Sequence, residues 1–450
     1  MSYGCYVNVI NLTNVPFNVE VTLKDASNWQ ATDLTPTQLN GKVVDANSQQ
    51  EAHVEIANGQ KSAKFVLTLT NDTFGTIATV GDALPVANGG NRKGYLVPGG
   101  AAQDKFWILE AQYPAQPGDN NGGYDWRHLG LIVMPKIEPR SWMAGLNDDA
   151  YLNEITIPGT HDTGTAPING TRQCQNLSIA QQLNVGIRFL DIRLNKSRNW
   201  EIMHEDTATG LFFMNDCLLP IVNFLAENPS EIVLLCIKDE HGSTAGFHDG
   251  ILEMLDQLSP RYVFTGKVPD KIGKLRQKLV LVRRYWIDPD TNHNKADGAN
   301  SGLGLHEFNS KPDGTGTKYE FPPNSDTFAE LGDGNIFYQQ SGGLPFAIQD
   351  WYDLQTSYMS SKIALIYKYL DAAKDTLPGT WFLNFSSCST SARADDPKDF
   401  AVGETNINDA LFLYAITRGK GRYGIIPMDF AACPPEEATV NLLINCNWLS

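Results

Sequence analysis

At 450 residues the chain is longer than one hydrophobic core usually accommodates, so two domains are expected. Apolar residues make up 42% of it and charged residues 19%, a globular rather than a disordered composition. The formal net charge of -16 argues against a nucleic-acid partner, which needs clustered Lys and Arg, and offers no bulk attraction to an anionic membrane.

Seven cysteines, Cys5, Cys174, Cys217, Cys236, Cys388, Cys433 and Cys446, occur without a CxxC pair, and Cys236 lies inside the apolar run IVLLCIK. They read as buried thiols, with one disulfide in the C-terminal pair left open. The N-terminus MSYGCYVNV has no basic segment followed by a long apolar core, so no signal peptide is visible. No run is long and apolar enough to span a bilayer.

Residues 1–137 alternate apolar and polar side chains in CYVNVINL, FNVEVTLKD, AHVEIAN, AKFVLTLTND, KFWILEAQY and HLGLIVMP. A period of two, broken by Gly, Asn, Asp and Pro as in the GGNRKGYLVPGG loop, predicts an antiparallel all-β sandwich. Such a domain serves either as a spacer or as a surface- or glycan-binding module. The alternation stops in PKIEPRSW, which sets the boundary.

From 138 to 450 the pattern changes. The apolar runs ITIPGTH, IRFLDIRL, EIMHE, IVLLCIKD, KLVLVRRYW, FAIQDWY, WFLNFSS and GIIPMDF alternate with helical stretches such as NDCLLPIVNFLAEN, GILEMLDQL, SSKIALIYKYLDAAKD and NINDALFLYAITRG. About eight strands alternating with helices predict a parallel sheet closed or nearly closed into a distorted TIM-like α/β barrel. The stretch Asp288–Tyr338 is polar and Gly-rich and reads as a long loop at the barrel mouth.

Chemistry in such barrels lies at the C-terminal strand ends. There the chain delivers His161 and Asp162, then Asp191 and Arg193, then His204 from WEIMHED. Two histidines flanking an arginine have the makings of a base, an acid and an anion clamp. Asp162 directly follows His161, and neighbours on a strand point oppositely, so a turn within Gly159–Gly164 must aim both inward.

The ordered series IPGTHD, FLDIR, a lone His and FLAENPSEIVLLCIK, continued by KLVLVRRYW, IQDWY, FLNFSS and a late strand ending in Asp, resembles the catalytic barrel of the bacterial phosphatidylinositol-specific phospholipases C. The resemblance covers residues 140 to 450 and leaves the first domain outside. It implies intramolecular phosphoryl transfer: the inositol 2-hydroxyl attacks the phosphodiester, diacylglycerol leaves and inositol 1,2-cyclic phosphate forms. His161 matches the general base and Asp429 the carboxylate that orients it. His204 matches the general acid, with Asp162 as its partner. Arg193 takes the place that Ca²⁺ fills in animal relatives, so neither a metal nor another cofactor is expected. For the inositol ring the matching positions are Lys238, Arg284, Asp350 and Tyr352, the alternatives being that Lys238 pairs with Asp239 or Glu240 at the rim and that Asp350 caps the following turn. Arg283 and Arg284 face opposite sides of their strand, so one lines the pocket, and the motif favours Arg284.

Two departures stand out. The family usually carries Gly after its second histidine, whereas this chain has Glu205 and Asp206. The run DPDTNHNKADG imitates a calcium loop but puts His293 and Ala299 where Gly and Glu are needed, which argues against bound calcium.

Membrane contact would come from Trp286, Trp351, Tyr358, Met359 and Trp381, of which one or two should be exposed. The expectation is a metal-independent phosphatidylinositol phosphodiesterase, a secreted monomer acting peripherally on a phospholipid surface. The alternatives are a similar barrel acting on another glycerophospholipid or sphingolipid headgroup, and a non-catalytic lipid- or glycan-binding protein.

Overall fold

The computed structural model describes residues 3–448 except 61, 85–94, 99–103, 115–126, 241–244, 267–270, 286, 288–300, 306–335, 342–343, 376–378, 391–394, 404–405 and 433–436. The chain divides into two compact units, Met1–Ile137 with Trp448–Ser450, and Glu138–Asn447.

The first unit is built of strands β1 (Tyr3–Asn11), β2 (Phe17–Leu23), β3 (Val43–Val44), β4 (Ser48–Ile56), β5 (Ala63–Asn71), β6 (Gly75–Leu84), β7 (Tyr95–Pro98), β8 (Phe106–Pro114) and β9 (Arg127–Pro135). They form two sheets, ordered β4-β1-β9-β8 and β3-β2-β5-β6-β7. Alternation explains why they form. Phe17, Val19 and Val21 on β2, and Ala63, Phe65, Leu67 and Leu69 on β5, point into one apolar cluster that also takes Val7, Val9 and Phe106 from the other sheet. Phe17 meets Phe106 edge-on at 5.8 Å. The alternating runs of the sequence correspond to β1, β2, β4, β5, β8 and β9. One pairing departs from the antiparallel expectation: β1 and β9 run parallel, which places the first and last strands of the unit side by side. Most of the GGNRKGYLVPGG loop lies outside the described residues, but its YLVP is β7, paired with β6.

The second unit contains β10 (Thr156–Thr160), α1 (Ile179–Asn184), β11 (Phe189–Asn195), β12 (Glu201–His204), β13 (Thr207–Phe212), α2 (Leu219–Glu227), β14 (Ile232–Asp239), α3 (Phe247–Asp256), β15 (Val263–Phe264), α4 (Ile272–Leu275), β16 (Lys278–Arg284), β17 (Leu303–Gly304), β18 (Ile336–Ser341), β19 (Leu344–Gln349), α5 (Met359–Asp375), β20 (Trp381–Asn384), α6 (Pro397–Val402), α7 (Ile407–Arg418), β21 (Gly424–Met428) and α8 (Glu437–Asn445). The sheet path is β15-β16-β14-β11-β10-β21-β20-β19-β18. It is parallel from β15 to β19, with β18 antiparallel at the end. This is a TIM-like barrel whose hydrogen-bonded path stays open among the described residues. Buried strands such as β14, with Ile232–Ile237 all inaccessible, need apolar side chains on both faces because helices cover one side and the barrel interior the other.

EIMHE is not a barrel strand. It is β12, which folds back antiparallel on β11 through Leu194–Ile202 and Asn195–Glu201, then pairs with β13 as a hairpin. A short apolar run carries no signal of direction, so the sequence pattern could not tell the two apart. The Asp288–Tyr338 stretch is likewise not all loop, since β17 and the start of β18 lie in it; the rest, including the calcium-like DPDTNHNKADG, falls outside the described residues.

At the opposite end of the barrel from the strand ends carrying His161 and Asp429, Arg188 is wholly buried. It donates Nε to Glu231 Oε2 at 2.8 Å, Nη1 to the carbonyls of Leu183 and Ile187, and Nη2 to those of Pro139 and Arg140. Its guanidinium lies over the Phe224 ring at 4.6 Å. Every donor has a partner, which is the condition under which a charge can be buried.

Cys174, Cys217, Cys236, Cys388 and Cys446 are buried free thiols, and Cys433 lies outside the described residues. No described helix is long and apolar enough to cross a membrane.

Candidate active site

The side chains singled out from sequence converge at the C-terminal ends of the barrel strands: His161 just after β10, Arg193 in β11, Lys238 in β14, Arg284 at the end of β16, Asp350 after β19 and Asp429 after β21. His204 reaches the same place from the end of β12.

Local backbone geometry explains how. Asp162, Glu205 and Phe430 each have left-handed φ, +42°, +49° and +45°. Each is the residue directly after one of the converging groups His161, His204 and Asp429. The left-handed step at Asp162 reverses the strand alternation, so His161 and Asp162 both turn inward, as their joint contacts require. It also accounts for the departure at Glu205: a left-handed position favours glycine, and the non-glycine residue here costs about 1–2 kcal/mol. Gly164 is needed for another reason, since a Cβ there would lie 2.6 Å from Ile202 Cγ2 on β12, the strand that carries His204.

His161 Nδ1 is 2.8 Å from Asp429 Oδ1, and its Nε2 is 2.8 Å from Arg193 Nη2. Because a guanidinium can only donate, Nε2 is the accepting nitrogen and Nδ1–H donates to Asp429. The ring is therefore a neutral imidazole with its lone pair at Nε2. Burial, seconded by the Arg193 charge, holds its pKa well below the ordinary histidine value.

Asp162 Oδ2 lies between the two rings, 3.2 Å from His161 Nε2 and 3.4 Å from His204 Nε2, while its Oδ1 is 2.7 Å from Arg193 Nε. Burial raises the Asp162 carboxyl, against the pull of Arg193. His204 Nδ1 donates to the Arg172 carbonyl at 2.7 Å. Both of its nitrogens thus face acceptors, an arrangement that a doubly protonated ring satisfies. One imidazole is set to take a proton and the other to give one.

Arg193 also lies 3.2 Å from Asp191 Oδ2 and, through Nη1, 3.8 Å from Glu240 Oε1. Burial alone would lower its pKa, but Asp162, Asp191 and Glu240 outweigh that and keep it charged. Burial would likewise raise Asp191, yet Arg193 and Arg284 hold its carboxyl well below the usual range. The Nη1 end lies beyond hydrogen-bond distance of Glu240.

Around this centre, Arg284 lies 3.6 Å from Asp350 Oδ2 and 3.8 Å from Asp191 Oδ1, with its guanidinium 5.6 Å from the Phe385 ring centre. Arg283 faces away, bound to the carbonyls of Ser301 and Tyr285. Lys238 Nζ is 2.6 Å from Glu240 Oε2. Tyr352 is 44% exposed beside Asp350. Of the aromatic rim candidates, Tyr358 is 54% exposed and its ring centre is 6.4 Å from that of Trp351. Met359 and Trp381 are core residues instead, and Trp286 lies outside the described residues.

The sequence offers Glu240 only as a rim partner for Lys238, a contact the structure forms, and gives no sign of several other residues at the site. Glu240 joins Lys238 to the turn after β12, accepting the Glu205 backbone N–H at 2.8 Å. Arg172 clasps that same turn through Thr207 Oγ1 at 2.6 Å and Glu205 Oε2 at 3.0 Å, which turns the Glu205 carboxylate outward onto a cation. Gln175 Nε2 ties the His161 and Met428 carbonyls together at 2.7 and 2.8 Å. Cys174 lies wholly buried beside Asp162 and His204. Phe385 packs edge-on to His161, ring centres 6.0 Å apart.

Residues 148–268 match the PI-PLC X family model. A 1-phosphatidylinositol phosphodiesterase of Listeria monocytogenes is 26% identical over 336 residues, 72% of this chain and 90% of the relative. One of Staphylococcus aureus is 23% identical over 69% of this chain and 94% of its own length. Among solved structures, the phosphatidylinositol-specific phospholipase C of Listeria monocytogenes superposes with a TM-score of 0.51 at 22% identity, covering 69% of this chain and 99% of that one. A mutant of the Staphylococcus aureus enzyme gives 0.54 at 22% identity, covering 69% and 98%. These superpositions establish the barrel fold.

Proposed function

We propose that the chain is a phosphatidylinositol-specific phospholipase C, releasing diacylglycerol and inositol 1,2-cyclic phosphate without a metal ion, a reading supported by the match of residues 148–268 to the PI-PLC X model and by the similarity to 1-phosphatidylinositol phosphodiesterases. One observation carries the reading. Two imidazole nitrogens lie 3.2 and 3.4 Å from a single Asp162 oxygen, and Arg193 is ion-paired with that same carboxylate, so base, acid and guanidinium surround one small volume.

Once the inositol 2-hydroxyl displaces Arg193 Nη2 from it, His161 Nε2 takes the hydroxyl proton as its oxygen attacks phosphorus, and Asp429 stabilises the imidazolium that results. His204 Nε2–H protonates the glycerol oxygen as the P–O bond breaks. Arg193 holds a non-bridging oxygen and absorbs developing charge. The nucleophile belongs to the substrate, so orientation is the main requirement, and it supplies up to about 7–11 kcal/mol. We assign inositol recognition to Lys238, Arg284, Asp350 and Tyr352: the two cations donate to ring hydroxyls, Asp350 accepts, and the tyrosine offers a flat face.

We read the first unit, 1–137, as an accessory two-sheet sandwich and 138–450 as the catalytic barrel. The protein then acts as a secreted monomer at a phospholipid surface, with Tyr358 and Trp351 at the contact. Phosphorus NMR of a phosphatidylinositol digest, with and without EDTA, tests the reading. The cyclic phosphate should form equally in both and vanish in His161→Ala. Loss of activity in EDTA would favour a metal-dependent phosphodiesterase, and no product from any phospholipid a binding protein.

A further inference from the structure

We propose that Cys174, His204 and Asp162 form a site for a soft divalent cation such as Zn²⁺ or Cd²⁺, and that its occupation shuts down the catalytic centre. Cys174 Sγ lies 4.0 Å from Asp162 Oδ2 and 4.0 Å from His204 Nδ1. The ligand atoms of Cys174, Asp162 and His204 all lie within 4.8 Å of one another, and the same holds for Cys174, His161 and Asp429. The sulfur therefore sits beneath both histidine–carboxylate pairs. It also lies 3.9 Å from the Arg172 carbonyl. It takes no part in the proton transfers assigned above.

The two sulfur distances suit a tetrahedral ion, and the Asp162 oxygen, 3.4 Å from His204 Nε2, must turn toward the Nδ1 side to join them. Zn–S bonds of about 2.3 Å and Zn–N or Zn–O bonds of about 2.0–2.2 Å place donor atoms roughly 3.6 Å apart. Each sulfur pair must close by only about 0.4 Å from the 4.0 Å observed, within the reach of small side-chain rotations. A thiolate, an imidazole and a carboxylate select zinc-like ions over Ca²⁺ or Mg²⁺, which want oxygen alone.

Binding has a defined cost in protons. His204 Nδ1, which donates to the Arg172 carbonyl, must present its lone pair, and the Cys174 thiol must become a thiolate. One cation enters and two protons leave to solvent. The ring that retains only Nε2–H, held to the metal by its other nitrogen, has lost the acid form that the leaving group requires.

The test uses the full chain and the metal salts alone. Zinc chloride in metal-free buffer should inhibit turnover of phosphatidylinositol vesicles in the micromolar range, reversibly by EDTA. Cys174→Ala should raise the half-inhibiting concentration about tenfold or more, relative to that variant's own uninhibited rate. Cadmium titration reads the site without turnover. The ultraviolet thiolate-to-Cd²⁺ absorbance of the wild type should be lost in Cys174→Ala and need about tenfold more metal in His204→Gln, where the sulfur remains. No zinc inhibition of the wild type, equal inhibition of Cys174→Ala, or a cadmium titration unchanged in both variants would overturn the proposal. The cadmium arm needs no substrate, so it decides the metal site even if phosphatidylinositol is not cleaved.

Discussion

Replacing Glu240 by Gln keeps the shape of the side chain and removes its charge at the point where three groups meet. Oε2 accepts from Lys238 Nζ at 2.6 Å, Oε1 accepts the Glu205 N–H at 2.8 Å, and Arg193 Nη1 stands 3.8 Å away. A glutamine can keep the bond to Glu205 with its oxygen, but its amide then faces the Lys238 ammonium, donor against donor. One charge-assisted hydrogen bond is lost, about 1.5–3 kcal/mol in a buried setting. If that lysine orients the inositol ring, the loss translates to a fall in kcat/KM of roughly 10- to 150-fold. The pH profile adds a second reading. Burial, then the Arg193 charge, lowers the Lys238 pKa, and Glu240 works against both. Without Glu240 the lysine deprotonates at lower pH, so the alkaline limb of kcat/KM should move down. The assay is steady-state cleavage of phosphatidylinositol in mixed micelles across the pH range, with melting curves to confirm folding. A kcat/KM within twofold of the wild type and an unmoved alkaline limb would refute the link between Glu240, Lys238 and substrate.

Arg188→Met should destabilise the barrel by about 3–5 kcal/mol in urea denaturation, because Glu231 stays buried without its partner; a loss under 1 kcal/mol would show that the site relaxes. The acid limb of kcat/KM should fall below the ordinary histidine range, since burial and Arg193 lower His161. The same shift has a stability sign: the folded state binds this proton less well than the unfolded chain, so stability should drop as pH falls below about 6.5 toward the folded pKa, and less steeply in His161→Asn. Tyr358→Ser should weaken vesicle binding in sedimentation by about 1 kcal/mol, roughly fivefold, given that its ring is half exposed in the free protein. Unchanged partition would remove Tyr358 from the membrane contact.

What the sequence made visible were groups whose chemistry is tied to a strand end. His161, Asp162, Arg193 and Asp429 follow apolar runs whose period and length announce a buried strand. The hairpin that delivers His204 was hidden, because a run of four or five residues looks the same in a parallel and an antiparallel strand. Glu240 reads in sequence as a rim acid, and only the fold brings the Glu205 turn within 2.8 Å of it. Arg172, Cys174 and Gln175 lie in an aperiodic segment that offers no pattern to read. Lys362 falls in SSKIALIYKY as if on a solvent face, yet it is wholly buried, with Nζ donating to Gln349 Oε1 at 2.9 Å and to the Phe385 carbonyl at 2.7 Å. In the first unit, β6 was passed over because GTIATVGDAL is rich in small residues, and its register comes from its neighbours β5 and β7 rather than from its own alternation.

The reversed corners at Asp162, Glu205 and Phe430 bear on how a lipid headgroup is received. They are single-residue kinks whose backbones are held by hydrogen bonds, so the corners that carry the reacting groups are set before anything binds, and it is the side-chain partners, such as Arg193 on His161 Nε2, that must exchange. A headgroup then meets corners already formed, and discrimination at those corners has to come from turning away what does not fit.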